Sequence, residues 1–183
     1  MSLAEQWKYE RAYEVDTYRM GPNRFNYAAQ DIASFQTVGN YLDVGCGRAE
    51  TLDLARAEGH QVYGIETVPQ LCERADVQHG DVCALPFSDK FFDNVTCYDV
   101  LEHILPGEEQ RALDEMGRVC RGLLFLSTND RASKLPDGTE LHVNKRKRDV
   151  WHQDFVRRWG EDNIVSSLKG PHDDWHWRID VGP

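Results

Sequence analysis

The stretch Tyr41–Glu50, reading Tyr-Leu-Asp-Val-Gly-Cys-Gly-Arg-Ala-Glu, limits the fold of this chain more than any other. Leu42 and Val44 favour a strand, and Gly45 and Gly47 carry no Cβ, so the backbone beyond the strand can turn sharply and approach a ligand closely. Glu50–Glu58 then sets Leu52 and Ala55 on one helical face with Leu54 beside them, and Gly59 ends the run. Strand, glycine corner and helix together make a cofactor-binding corner.

Spacing narrows the cofactor. A nicotinamide or flavin dinucleotide corner carries glycines at the first, third and sixth positions, which lets the helix N-terminus meet a pyrophosphate. The sixth position here is Glu50, whose charge suits the helix dipole but repels phosphate. The phosphate-cradling loop that ends in Gly-Lys-Ser/Thr is absent as well. What the corner suits is a ligand that needs close backbone contact and tolerates negative charge.

Further chemistry-bearing residues follow in order. Gln61–Glu66 reads as a second strand with a carboxylate at its C-terminal end, and an acid at that distance from the glycine corner can accept from both ribose hydroxyls of an adenosine. Val68–Arg74 is expected as a short helix and Ala75–Asp81 as a third strand, followed by the loop Asp81–Phe87. Phe92–Tyr98 is a fourth strand that leads through Tyr-Asp-Val-Leu-Glu-His, residues 98–103, toward a helix. Pro106-Gly107 precedes an amphipathic helix, Glu108–Cys120, with Leu113, Met116 and Cys120 toward the core. Gly122–Ser127 is apolar throughout and reads as a central strand buried on both faces.

Asp43-Val-Gly-Cys-Gly47 and Leu101-Glu-His103 resemble the motifs of class I S-adenosylmethionine-dependent methyltransferases, in the small-molecule branch with a Leu-Glu-His motif. The resemblance runs from Tyr41 to Asn129, and Ala49 stands where the family commonly has a third glycine. It implies a Rossmann-like α/β fold: a seven-stranded, mostly parallel sheet with helices on both faces and a C-terminal antiparallel hairpin. S-adenosylmethionine is then the cofactor, a ligand with a sulfonium and no phosphate, held by Asp43, Gly45, Cys46, Gly47, Glu66, Thr67, Asp81, Val82, Cys97 and Tyr98. Glu66 takes the ribose, Asp81 the adenine amine, the Val82 N–H a ring nitrogen and Leu85 a covering position. The backbone at Cys97 and Tyr98 borders the methionine part. Tyr98-Asp-Val-Leu lacks both the Asn/Asp-Pro-Pro-aromatic run of DNA amino-methylating enzymes and the Pro-Cys of cytosine C5 enzymes.

The acceptor side is sketched more thinly. His103 and His142 are candidate general bases, since an unperturbed imidazole titrates near neutrality. Asn129 and Asn144 lie in the loops that face ligands in open α/β sheets, and are candidate acceptor contacts together with His142. Residues 1–23 are expected as an aromatic-rich N-terminal arm or lid, with Tyr18 and Arg19 as lid candidates, and residues 24–183 as a single methyltransferase domain. A helix is expected across 24–35, with Phe25, Ala28, Ala29, Ile32 and Phe35 on one face.

Charge and length set outer limits. At 183 residues the chain suits one domain, able to bury about 70% of its unfolded surface. Lys+Arg 21 against Asp+Glu 31 gives a net charge of -10, which disfavours binding to nucleic acid by general electrostatics. A small-molecule acceptor is therefore the first expectation. A nucleic-acid or protein acceptor, resting on the basic run Lys145–Arg148 and on Arg157 and Arg158, is the alternative, and a non-catalytic cofactor-binding module is the third reading. No apolar run approaches the roughly 20 residues of a membrane helix, and the opening residues do not pattern as a signal peptide, so the expected location is the cytoplasm. The five cysteines are odd in number with no Cys-x-x-Cys pair, as reduced thiols would be. His172, Asp173, Asp174 and His176 read as a turn with polar strand positions, and no metal site is expected there. Val150–Trp159 is a core-facing helix, and Asn163–Leu168 with Trp175–Val181 forms the closing hairpin.

Overall fold

The computed structural model describes residues 3–14, 22–169 and 174–182. Five helices are described: α1 Leu3–Glu14, α2 Pro22–Ala33, α3 Glu50–Ala57, α4 Glu109–Val119 and α5 Arg148–Trp159. The strands are β1 Asn40–Val44, β2 Gln61–Glu66, β3 Val77–His79, β4 Phe92–Tyr98, β5 Cys120–Thr128, β6 Ile164–Lys169 and β7 Asp174–Asp180. They make one sheet in the order β3-β2-β1-β4-β5-β7-β6. Pairing is parallel from β3 to β5, whereas β7 runs antiparallel to both β5 and β6. This is the expected Rossmann-like sheet with its antiparallel closing hairpin.

The alternation of side chains along a strand assigns the two faces of the sheet. On β5, Leu124 and Leu126 join Leu113 and Met116 of α4 and Trp151 and Phe155 of α5 in the larger core cluster. Leu123 and Phe125 point the other way and pack with Ala28 of α2. A second cluster on that side holds Ile32, Tyr41, Leu52 and Ala55, where α2 and α3 cover β1 and β2. Burial of both faces is why the central strands read as nearly continuous apolar runs. Trp177 of β7 anchors the hairpin, with its ring centroid 5.0 Å from Phe155 in an edge-on contact.

A buried polar network ties the hairpin to α2. Asp31 accepts from the Tyr98 hydroxyl at 2.9 Å and lies 2.7 Å from His176 Nε2. All three side chains are less than a tenth exposed. His176 is thereby a structural partner of Asp31, while His172 and Asp173 lie outside the described residues.

Several expected elements are shorter than their sequence suggests. Val68–Arg74 supplies only a 3-10 turn, Pro69–Leu71, because so short a segment cannot offset the cost of nucleating an α-helix. The third strand contracts to Val77–His79 at the sheet edge, where it has one neighbour. The segment after β4 is another 3-10 turn, Leu101–His103, and Cys120 opens β5 instead of closing α4. Phe25, placed on the buried face of its helix by periodicity, is 39% exposed.

Candidate cofactor cleft and acceptor wall

The glycine corner is held by backbone geometry. Gly45, Gly47 and Ala49 all have positive φ, at 71°, 54° and 63°. The Gly45 and Cys46 N–H groups both donate to the Ile65 carbonyl, at 2.8 and 3.1 Å, which fixes the corner to the end of β2. A Cβ on Gly45 would stand 2.4 Å from Val100 Cγ2, and one on Gly47 would stand 2.6 Å from the Tyr13 hydroxyl. Conformation demands glycine at both positions, and at Gly45 the space beside Val100 demands it as well. Ala49 adopts the left-handed region without glycine's freedom, directly before α3.

Asp43 supports this corner from beneath. Its carboxyl accepts from the Thr51 hydroxyl, on α3, and from the Thr96 hydroxyl at 2.7 Å, on β4. Thr96 in turn shares a 2.6 Å hydrogen bond with the Tyr41 hydroxyl. Burial pushes the Asp43 carboxyl up to about 6, against the pull of the two hydroxyls. Asp43 thus positions the loop, and its side chain does not line the cleft.

Glu66 closes the other side. Gly47 N–H donates to Oε2 at 2.8 Å, and the Thr67 and Val68 N–H groups donate to Oε1 at 2.8 and 3.0 Å. One carboxylate therefore ties the glycine corner to the turn after β2. It lines the cleft while only 4% exposed, and burial raises its pKa although the Val68, Gly47 and Thr67 N–H groups pull the other way. Oε2, with a single N–H donor, keeps acceptor capacity for a hydroxyl, whereas Oε1 already accepts two.

About 580 Å³ of empty space lies in the cleft and its open mouth. Of the cofactor candidates, Gly45, Glu66, Thr67, Asp81 and Val82 line it, and Gly47 does not. Asp81 is set by its own loop, where Oδ1 accepts the Cys83 N–H at 2.8 Å. Cys46, Cys97 and Tyr98 contribute no lining. The Cys46 and Cys97 thiols are buried, with raised pKa values caused first by that burial, and Tyr98 turns toward Asp31. Leu85 packs into the larger core cluster and not over the cleft.

Some walls were not foreseen. Tyr9 and Tyr13 of α1 line the cleft, and Tyr13 is crossed by the Arg48 guanidinium at 5.5 Å from its ring centroid. Their spacing of four residues on a helix was the available signal. Asp99 and Val100 are also lining, with Asp99 at φ 51° and its N–H bonded to the Ser127 carbonyl at 3.0 Å. Tyr18 and Arg19 lie outside the described residues.

The acceptor candidates converge from separate segments. His103 lines the cleft, and His142 packs edge-on against it with ring centroids 4.6 Å apart. Burial lowers the His142 pKa, opposed by the Arg131 carbonyl at 2.7 Å from Nδ1. Asn129 and Asn144 do not line the cleft and instead brace Glu102. Asn129 Nδ2 donates to Glu102 Oε1 at 2.6 Å, and the Asn144 N–H donates to the Glu102 carbonyl at 2.9 Å. The basic run is engaged internally: Lys145 pairs with Glu140, Arg146 with Glu109 and Asp154, Lys147 with Asp130, and Arg148 with Asp149. All five cysteines are free, and no helix among the described residues is long and apolar enough to cross a membrane.

Comparison with known proteins agrees with this geometry. Residues 42–124 match the family model described as a methyltransferase domain. A probable S-adenosylmethionine-dependent methyltransferase of Mycolicibacterium smegmatis is 28% identical over 151 residues, covering 78% of this chain and 53% of the relative. The chain spans about half the length of the curated relatives it matches. Among solved structures, the amino pentose methyltransferase CalS10 from Micromonospora echinaspora, with S-adenosylmethionine bound, superposes with a TM-score of 0.67 at 15% identity, covering 94% of this chain and 96% of that one. Magnesium protoporphyrin IX methyltransferase from Synechocystis, with bound S-adenosylhomocysteine, superposes at 0.63 and 15% identity, covering 97% and 94%. Residues 42–124 thus match a methyltransferase domain, and the chain is similar in sequence to probable S-adenosylmethionine-dependent methyltransferases and in fold to solved methyltransferases.

Proposed function

We propose that this chain transfers the methyl group of S-adenosylmethionine to a small-molecule acceptor, in the cytoplasm. The observation that carries the reading is the cleft at the C-terminal ends of β1, β2 and β4, where a Cβ-free corner, the Glu66 carboxylate and the Asp81 loop face one volume. These residues fit the cofactor: Glu66 suits a ribose diol, Asp81 and the Val82 N–H suit an adenine edge, and the sequence has no phosphate-cradling Gly-Lys-Ser/Thr loop. When bound, the cofactor supplies a sulfonium-activated methyl group. The chain's part is to hold an acceptor in line and exclude water, and positioning of this kind supplies roughly 7–11 kcal/mol in favourable cases.

His103 is the imidazole at the cleft wall, so it is the candidate to take a proton from an acceptor that must lose one, with His142 packed behind it. Tyr9 and Tyr13 make α1 a cover for the cofactor, in keeping with an N-terminal arm or lid. The internal ion pairs of Lys145–Arg148 favour a small acceptor over a polyanion. The kinship in fold to an enzyme that acts on an amino pentose supports the same choice, and the five free thiols suit a reducing compartment.

Titration calorimetry with S-adenosylmethionine, S-adenosylhomocysteine and NAD tests the cofactor reading. Binding of the first two at micromolar concentration and none of NAD is expected; NAD binding, or binding of none, would overturn it. Salt-insensitive turnover of small amine or hydroxyl acceptors would support the acceptor class, whereas turnover of RNA alone, falling steeply with salt, would replace it.

A further inference from the structure

We propose that Glu102, His103 and His142 form a binding site for one divalent transition-metal ion of the zinc class. Glu102 and His103 are consecutive on the 3-10 turn after β4, and His142 arrives from the long connection between β5 and α5. One potential ligand atom from each residue lies within 4.8 Å of the other two. The three residues are 0%, 8% and 9% exposed. This inference goes beyond the methyltransferase reading and does not depend on it.

The surroundings orient these groups as metal ligands. His103 Nδ1 stands 3.1 Å from the Leu141 carbonyl, and His142 Nδ1 stands 2.7 Å from the Arg131 carbonyl. A carbonyl oxygen only accepts, so each neutral ring carries its proton on Nδ1 and its lone pair on Nε2. Anchoring of one ring nitrogen by a backbone carbonyl is what fixes the tautomer and direction of a histidine that ligates through the other. Glu102 is aimed in the same way, by the Thr128 hydroxyl at 2.9 Å from Oε2 and by Asn129 Nδ2 at 2.6 Å from Oε1.

The donor set selects the class of ion. Two imidazole nitrogens and a carboxylate suit Zn²⁺ and its neighbours, whereas Mg²⁺ and Ca²⁺ prefer oxygen alone. Tetrahedral bonds of about 2.0–2.1 Å put ligand atoms roughly 3.4 Å apart, so the side chains close inward on an ion. Three protein ligands leave a coordination position open. His103 is also a wall of the cleft, which places the cluster beside it. An ion held there occupies the His103 lone pair, which then no longer serves as a base.

The test is titration of the tag-free, chelator-stripped chain with Co²⁺, Zn²⁺ and Mg²⁺, without any methyl donor. The expected result is one equivalent of Co²⁺ with the visible absorption of a four- or five-coordinate ion, displaced by Zn²⁺ and indifferent to Mg²⁺. His142→Ala should weaken Co²⁺ binding at least tenfold, with His142→Gln as the size-preserving second variant and Cys83→Ser as the thiol control, left unchanged. Affinity no better than about 1 mM, near −4 kcal/mol, would overturn the proposal. So would binding unaltered by either His142 variant, or a sulfur-to-cobalt charge-transfer band in the wild-type complex, a readout that holds whether or not the variants fold.

Discussion

The two sides of the cleft are built by different means. On the cofactor side, backbone N–H groups, glycines and one carboxylate make the surface, and almost every contact joins adjacent strand ends. On the acceptor side, the wall is made of buried side chains, with the His142 ring packed edge-on against His103 and Glu102 held by Thr128 and Asn129. A backbone site tolerates little change, because its geometry is that of the sheet itself. A side-chain site can exchange its chemistry while the sheet stays as it is, which is how one fold serves many acceptors.

The largest effect expected of this contrast comes from Gly45→Val. Its positive φ costs about 1–3 kcal/mol for a residue with a side chain, and the collision with Val100 adds a comparable overpacking cost. S-adenosylhomocysteine affinity, read by calorimetry, should fall at least ~30-fold. Near-native binding would mean that the corner is softer than its contacts suggest.

The support beneath the corner predicts a pH dependence of similar size. The folded chain holds the Asp43 proton more tightly than the unfolded chain, with a carboxyl raised from 3.8 to about 6. Between those values the folded state binds more protons, so the contribution of Asp43 to stability falls as pH rises from about 4 to about 6, by about 3 kcal/mol in all. Urea unfolding across that range should show a flatter profile for Asp43→Asn than for the wild type. Parallel profiles would remove the buried carboxyl from the account.

Smaller losses should follow at the cofactor contacts. Glu66→Gln leaves three N–H donors facing an amide that can accept at only one atom, a loss of about 1.5–2 kcal/mol, and so weakens S-adenosylhomocysteine roughly 10- to 30-fold with the fold intact by circular dichroism. Asp81→Asn should cost about tenfold, ~1.4 kcal/mol. If the order is reversed, the adenine edge outweighs the ribose. The smallest change belongs to Lys147→Ala, since its partner Asp130 meets it at an ammonium that is 79% exposed. Thermal unfolding should move by no more than about 0.5 kcal/mol.

Much of the cofactor side was legible because its signals are local. Gly45, Gly47, Glu66 and Asp81 sit at strand ends whose order follows from the run of strands, and each faces the cleft or shapes it. What is not legible there is where a neighbouring side chain points. The expectation at Cys97 and Tyr98 concerns their backbone; strand alternation and the Asp31 partner carry their side chains into the core. Leu85 likewise joins the core. On the acceptor side only residue types were visible: Asn129 and Asn144 read as ligand contacts, whereas they brace Glu102.

By itself the amino-acid sequence determined the glycine corner, the run of strands and helices, the closing hairpin and the class of cofactor. These rest on backbone conformation, side-chain periodicity and motifs confined to a few neighbouring residues. Tertiary structure alone decided that Tyr9 and Tyr13 lie over the corner, that Asp43 works from below it, and that His142 meets His103 beside Glu102. Such meetings depend on the route of the connection between β5 and α5 and on how α1 settles against the strand ends. Neither follows from a local pattern, because the contacts join segments far apart in the chain and are selected by the packing of the whole domain.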